Sequence, residues 1–400
     1  MYNSENVLQG RIKKKYDFTG KQRFVATPLS FSGGVGAGSL PVSNAGNYEG
    51  AIITAKKVYA TCEVDREAIK ASSNDQGAFV KATAESVKKA VESYMRNCSR
   101  ILFGDGSGIL GRGIGAGPAD VTGAGSIGSP YVVTFDASRW HEANWEEKDL
   151  VQMVTSLAAY PANTGGTAEG GSSVTNLLEV VEVDPVAMSI SLVGTSAVLA
   201  ALVTSTDPLP ATTGIAMQRS YLAEPMGLDG ALNATSGSLY SINIQRRWQA
   251  FQSDANGAGI TVDKMNSVML GVQKKFGKAP NMIVASYEQF QNILALLEDQ
   301  KRYNLPNKNL KGALSFSGVE FMATTGAIGI FVDRFAKKDS VYFLNDNFIE
   351  CHHRPGFGWF DDDGTVFLRT DEDTYAARYG GYYENFITPT AHGILTDLAV

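Results

Sequence analysis

Four hundred residues exceed what one compact core usually holds, so two or three packed units are expected. At 44% hydrophobic, 19% charged and 10% aromatic, the composition is that of a soluble globular protein with a sizeable core. A net charge of −6 argues against a dedicated nucleic-acid binder, although Arg11, Lys13, Lys14, Lys15, Lys21 and Arg23 make the first two dozen residues basic.

Along the chain, residues 1 to about 30 read as an extended arm without sustained period. Ser32–Tyr48 is rich in Gly, Ser, Ala and Asn and reads as a flexible loop. Ala51–Glu63 has strand content, and Asp65–Lys70 a short helical turn. A long amphipathic helix follows, over Gln76–Phe103. Asn74 or Asp75 can cap it, and Val80, Val87, Val91, Tyr94, Cys98 and Leu102 recur at spacings of three, four and seven. Its other face carries Lys81, Glu85, Lys88, Lys89, Glu92 and Arg96, with Glu85–Lys89 and Glu92–Arg96 at i,i+4 in the favourable order. At ~1.5 Å per residue it spans about 40 Å. Gly104-Asp105-Gly106 ends it.

From Tyr131 to Met217 short β-like runs alternate with Gly/Thr/Ser-rich loops, an all-β pattern in which Val180–Asp184, Pro185 and Met188–Leu192 form a hairpin. After Tyr221 the pattern is mixed. Thr261 caps a helix with Met265, Val268, Met269, Val272 and Phe276 inward, ended by Gly277. Met282–Ala285 is a buried strand, and Ser286 with Gln289 is a capping-box pair for the next helix. Strands at Val319–Ala323, Ile328–Val332, Val341–Leu344, Phe348–His352 and Val366–Thr370 close the chain, with Asp361-Asp362-Asp363-Gly364 as a turn.

Chemistry motifs are thin. Gly106-Ser107-Gly108-Ile109-Leu110-Gly111 fits G-x-G-x-x-G, but a helix precedes it where a dinucleotide loop needs a strand, so it reads as a helix-ending loop. Asp361–Asp363 fails the EF-hand spacing, because Trp359 stands where the first ligand belongs, and an acidic turn is the better reading. Cys351-His352-His353 alternates faces in a strand, and His141-Glu142 has Trp145 in place of a second zinc-binding histidine. Three scattered cysteines fit neither a disulfide framework nor a zinc site, and suggest a reducing compartment. No apolar run nears the ~20 residues that span a bilayer. Four histidines leave little general-base chemistry. No enzyme activity, cofactor or metal is expected.

Several segments in order resemble the major capsid proteins of tailed bacteriophages, the HK97-like fold family. Ala55–Ala60 with Val64–Ser72 looks like the return of that family's E-loop, and the long helix with its Leu102–Gly108 exit resembles its spine helix. Val272–Ile283 and Gln300–Tyr303 resemble A-domain elements, and Val341–Leu344, Trp359, Leu368-Arg369 and Ala391–Gly393 its closing strands. The resemblance implies an α+β, HK97-like capsid fold with N-terminal arm, E-loop, spine-helix P-domain and A-domain, plus a small all-β insertion. It divides the chain into an arm (1–31), E-loop and return strand (32–73), spine helix (74–104), connection (105–130), β-rich insertion (131–217), A-domain (218–338), closing strands and P-loop (339–386) and a C-terminal A-domain segment (387–400).

By that resemblance the chain is a shell subunit that assembles with itself as hexamers and pentamers into an icosahedral virion head, after synthesis in the host bacterial cytoplasm. The implied partners are a separate scaffolding protein, since little chain precedes the E-loop, together with a portal and a decoration protein. Packaged double-stranded DNA would be contacted without sequence preference, and no membrane is involved. The basic arm (Arg11, Lys13, Lys14, Lys15) would strap a neighbouring subunit. The acidic turn Asp361, Asp362, Asp363 would pair with Lys56, Lys57 or Arg66 of another copy. No partner for a Lys–Asn cross-link is evident. The insertion reads as packing area for the lattice before a surface for decoration proteins or glycans. Other readings are a bacterial protein nanocompartment of the same fold and a carbohydrate-binding β module with an aromatic-lined cleft. The apolar stripe Val87, Val91, Tyr94 and Cys98 should pack on the closing strands, with the charged face toward the shell interior.

Overall fold

The computed structural model describes residues 7–18, 20–30, 47–65, 76–113, 121–135, 140–158, 163–170, 176–245, 247–298, 319–323, 326–356, 358–360, 368–369 and 374–400. The first sheet is organised by one long strand, β23 (Thr374–Ile387). Strand β4 (Lys56–Asp65) pairs antiparallel along Thr374–Tyr383 on one side. On the other, β20 (Ile349–His353), β21 (Gly358–Trp359) and β22 (Leu368–Arg369) follow one another down the same strand. Gly380 is required where β4 and β23 cross, because a Cβ there would sit 2.4 Å from the carbonyl oxygen of Val58.

Helix α2 (Gln76–Phe103) lies across this sheet with the bounds its periodicity predicts. Tyr94 meets Tyr379 edge-on at 5.3 Å between ring centroids, and Trp359 packs on Tyr379 at 5.1 Å. Ala90, Tyr94, Cys98, Ile101 and Leu102 are buried, and Val87 packs against them. The stripe is thus centred one position away from Val91, which is half-buried. Val80 and the start of the charged face lie outside the described side chains.

Arg96 corrects the solvent-face expectation. It is buried and pairs with Asp149 at 2.6 Å and Glu146 at 2.8 Å rather than serving an i,i+4 pair on the surface. A helix of this length touches two units, so its polar face meets the second one where the first leaves it.

The arm is also anchored more firmly than its composition suggests. Helix α1 (Val7–Arg11) and strand β1 (Lys13–Lys15) place Leu8 and Ile12 in the same core as α2, with Phe18 beyond them. Strand β1 extends the first sheet in parallel with β20. Three well-spaced apolar side chains suffice to seat it, without any repeating pattern for sequence to display. From this core a two-stranded ribbon emerges, β2 (Gln22–Ser30) on β3 (Asn47–Thr54), held at its base by buried Ala51 and Ile53.

The second sheet has eight strands. Along its path run β5 (Ile109–Arg112), β12 (Gly214–Met217), β8 (Leu150–Thr155), β10 (Leu178–Asp184), β11 (Ser189–Gly194), β7 (Tyr131–Thr134) and β6 (Val121–Thr122), with β9 (Thr167–Ala168) on β8. The hairpin expected at Val180–Leu192 is β10–β11. Two expectations change. The sheet already begins at Ile109, and it carries a helix, α3 (Ala197–Ser205), capped by Ser196 Oγ, which accepts from Leu199 N at 3.2 Å. The unit is β-rich rather than all-β. Ile109 follows directly on Gly106 and Gly108, which take positive φ (79° and 80°), so the G-x-G-x-x-G run leads from a helix into a strand.

The third sheet runs β15 (Phe251–Asp254), β24 (Gly393–Thr396), β19 (Val341–Leu344), β16 (Met282–Ala285), β18 (Gly326–Val332) and β17 (Val319–Ala323). Short helix α4 (Leu228–Leu232) and the small hairpin of β13 (Ser238–Leu239) and β14 (Ile242–Asn243) lie between the second and third sheets in the chain. Helix α5 (Val262–Phe276) covers the sheet with Met265, Val268, Met269 and Val272, capped by Thr261 and ended by Gly277 at φ 68°. Only half of the capping box opening α6 (Tyr287–Glu298) forms. Gln289 N donates to Ser286 Oγ, but its side-chain amide donates to the carbonyls of Lys338 and Ala399.

Candidate functional site

The basic arm sorts residue by residue. The Arg11 guanidinium lies 4.5 Å from the Phe331 ring centroid, Lys13 Nζ donates to Asn347 at 3.0 Å, and Lys15 pairs with Glu350 at 2.7 Å. Among the described residues Lys14 makes no ion pair, and it is exposed between them. Behind the lysines, His352 is fully buried with Nδ1 2.9 Å from Asp17, which also pairs with Arg23. Three of the four expected strap cations therefore contact their own subunit. Sequence gives no sign of the Asp17–His352 contact, because it joins residues 335 positions apart.

Lys56 and Lys57 separate in the same way. Lys56 turns inward and donates to the Glu224 carbonyl at 2.5 Å. Lys57 is exposed, over the Tyr382 ring at 5.9 Å. Arg66, Asp361, Asp362 and Asp363 lie outside the described residues. Near Lys56, the Glu384 carboxyl is pushed up to about 7 by burial, although Lys56 and the Met226 amide oppose that rise. Beside it the buried Arg100 guanidinium forks onto the Glu224 carboxylate. These groups tie α2, β4 and β23 to the 217–227 segment.

No catalytic arrangement emerges among the described residues. A cavity of about 140 Å³ between the second and third sheets is lined by cations that are already paired, Lys337 with Asp229 in its wall and Lys338 with Glu142 outside it, each at 2.7 Å. His141 Nε2 is committed to the Ala336 carbonyl at 3.0 Å. Cys351 Sγ lies 3.2 Å from His353 Nε2, yet burial pushes the thiol up and the imidazole down to about 4, so neither is charged at neutral pH. No three His, Cys, Asp or Glu side chains converge as metal ligands among the described residues. Phe135, Trp140 and Trp145 stack in the core of the second sheet at 5.6–5.8 Å rather than lining an open cleft.

All four histidines are held neutral by burial. His392 and His353 are lowered to about 4, and His141 and His352 are also lowered. The unfolded chain, with histidines near 6.5, binds more protons as pH falls below that value, so these groups remove stability on acidification. Buried Glu384, at about 7, and Asp333, at about 6, act oppositely, since the fold keeps their protons. Those two offset roughly two histidines. The other two set the sign, so the denaturation midpoint should be lower at pH 5 than at pH 7, as urea titrations would show.

Two large aromatics stand on the ribbon in solvent, Phe24 at 69% exposure and Tyr48 at 60%. A two-stranded ribbon is marginal alone, and this one is held to the core at Ala51 and Ile53.

These features, a long helix crossing a sheet built on one long strand with a ribbon projecting from the same core, make up a mixed α+β fold that matches solved capsid structures. In particular, the chain is similar to a chain of the cyanophage A-1(L) capsid asymmetric unit, at TM-score 0.57 and 11% identity over 99% of this chain and 93% of that one. It also matches the capsid of a native GTA particle (TM-score 0.48, 8% identity, covering 99% and 91%). A third match is the holo-SrpI encapsulin complex of Synechococcus elongatus PCC 7942 (TM-score 0.43, 8% identity, covering 98% and 87%). No family model and no curated protein sequence matches the chain.

Proposed function

We propose that the chain is a major capsid protein that assembles with itself, as hexamers and pentamers, into an icosahedral phage head around double-stranded DNA. The observation that carries this reading is the end-to-end likeness to the cyanophage capsid subunit. In it the β2–β3 ribbon is the E-loop, whose Phe24 and Tyr48 seat on an adjacent subunit, and α2 is the spine of a P-domain built on β23. The third sheet is the A-domain, and the second an insertion that enlarges the subunit. Lys14 and Lys57 are the expected interface cations, because they face outward.

A scaffolding protein, a portal and a decoration protein complete the partners in this reading, and the net charge of −6 makes the DNA contact weak and without sequence preference. Particles from producing cells should contain nuclease-protected double-stranded DNA. Shells that enclose protein cargo and no nucleic acid would instead identify a protein compartment.

A further inference from the structure

An open groove of about 870 Å³ lies at the foot of the ribbon, between Val25–Pro28 and the C-terminal end of α5. Phe276, Phe348 and Phe386 form its apolar walls, and Arg247, Lys275 and Lys278 bring three cations to it. No carboxylate lines it among the described residues. Lys275 Nζ is steadied by the carbonyls of Gln249 and Ala250, at 2.9 and 3.1 Å. Lys278 Nζ rests 3.8 Å from the Phe348 ring centroid, and burial pulls its pKa below the ordinary value. An apolar groove rimmed by cations suits an acidic chain segment with apolar neighbours.

The chain carries one such segment. Residues 361–373 hold six acids in thirteen positions, with Val366, Phe367 and Leu368 among them, the densest acidic run in the sequence. Within one subunit Asp361–Asp363 cannot reach the groove. Phe360 is bonded to Arg378 and Leu368 is paired with Ala376, both toward the start of β23. Phe386, in the groove, lies eight residues further on, roughly 26 Å at ~3.3 Å per residue. The residues between Phe360 and Leu368, tethered at both ends, extend at most about 14 Å from them.

We propose that the groove receives the acidic segment Asp361–Asp363 of a second copy of this chain. The residues that flank the acids, Phe360 and Leu368, pair toward the start of β23 and the groove lies at its end, so the contact is head-to-tail, the type that closes rings when the rotation permits. The contact rests on the shell reading and specifies its partner surfaces. Lys56, committed inside the subunit, is not the acid's partner, and Lys57 is the competing one.

A charge swap in the full-length chain tests it, scored as shell yield by sedimentation and electron microscopy at physiological salt. Asp362→Lys and Lys278→Glu should each cut the yield about tenfold or more, as like charges across an interface do. The double variant should return to within about twofold of the unmutated chain. Melting of the unassembled subunit identifies a variant that fails to fold, and Arg247→Glu then replaces Lys278→Glu. Unimpaired assembly of Asp362→Lys overturns the proposal. So does rescue of Asp362→Lys by Lys57→Glu and by neither groove variant. An unmutated chain that forms no shells overturns the shell reading and takes this contact with it, a result distinct from a failed swap.

Discussion

Arg100→Met is expected to destabilise the subunit by about 3–5 kcal/mol, because it strands a buried carboxylate. The side chains of Arg100 and Glu224 are only 8% and 7% exposed, and both guanidinium Nη atoms reach the carboxylate. Taking such a pair out of water costs nearly what its attraction returns, so the intact pair contributes little net stability. Removing one partner leaves the desolvation cost without its compensation. The double variant Arg100→Met/Glu224→Met should therefore recover most of the loss. Urea unfolding of the three variants measures this, and a single-variant loss below about 1 kcal/mol would contradict the burial argument.

Tyr94→Ala should cost a similar amount, about 3–5 kcal/mol, by emptying the space between α2 and the first sheet. Its ring is 2% exposed and meets Tyr379 edge-on, with Trp359 behind. Lys88→Ala, on the exposed face, should stay within about 0.5 kcal/mol. A charge at Val91 should be tolerated better than one at Tyr94, since Val91 sits at the margin of the stripe. Chemical denaturation of the four variants gives the order, and equal losses at Val91 and Tyr94 would place the core on the wrong face.

The helix bounds were legible because amphipathic periodicity is local, and so were the Thr261 and Gly277 caps, the β10–β11 hairpin and the buried strand Met282–Ala285. The buried cations were not. Arg96 occupies a position that reads as solvent-facing, Arg100 was not singled out, and only Asp149 and Glu224, 53 and 124 residues away, explain their burial. Helix α3 did carry a local signal, a Ser cap before Ala-Val-Leu-Ala-Ala-Leu, which the surrounding Gly/Thr-rich texture obscured. The arm was misjudged for a different reason. Leu8, Ile12 and Phe18 are too few to show a period, yet each fills a site in the core.

The candidate site was legible in charge but not in geometry. Sequence located the cations of the arm and of the Lys56-Lys57 pair. It could not show that most of them contact their own subunit, because backbone pairing with β20 and β23 decides what each side chain meets. The groove at Lys278 is built from five separate stretches, the ribbon, Arg247-Trp248, the end of α5 and the segments around Phe348 and Phe386, none of which is distinctive alone.

Electron cryomicroscopy of the chain expressed alone, and with its neighbouring structural genes, tests the shell reading most directly. Closed icosahedral particles tens of nanometres across, with α2 and the β2–β3 ribbon built into the shell wall, are the predicted result. A folded subunit that stays monomeric in both settings would contradict it.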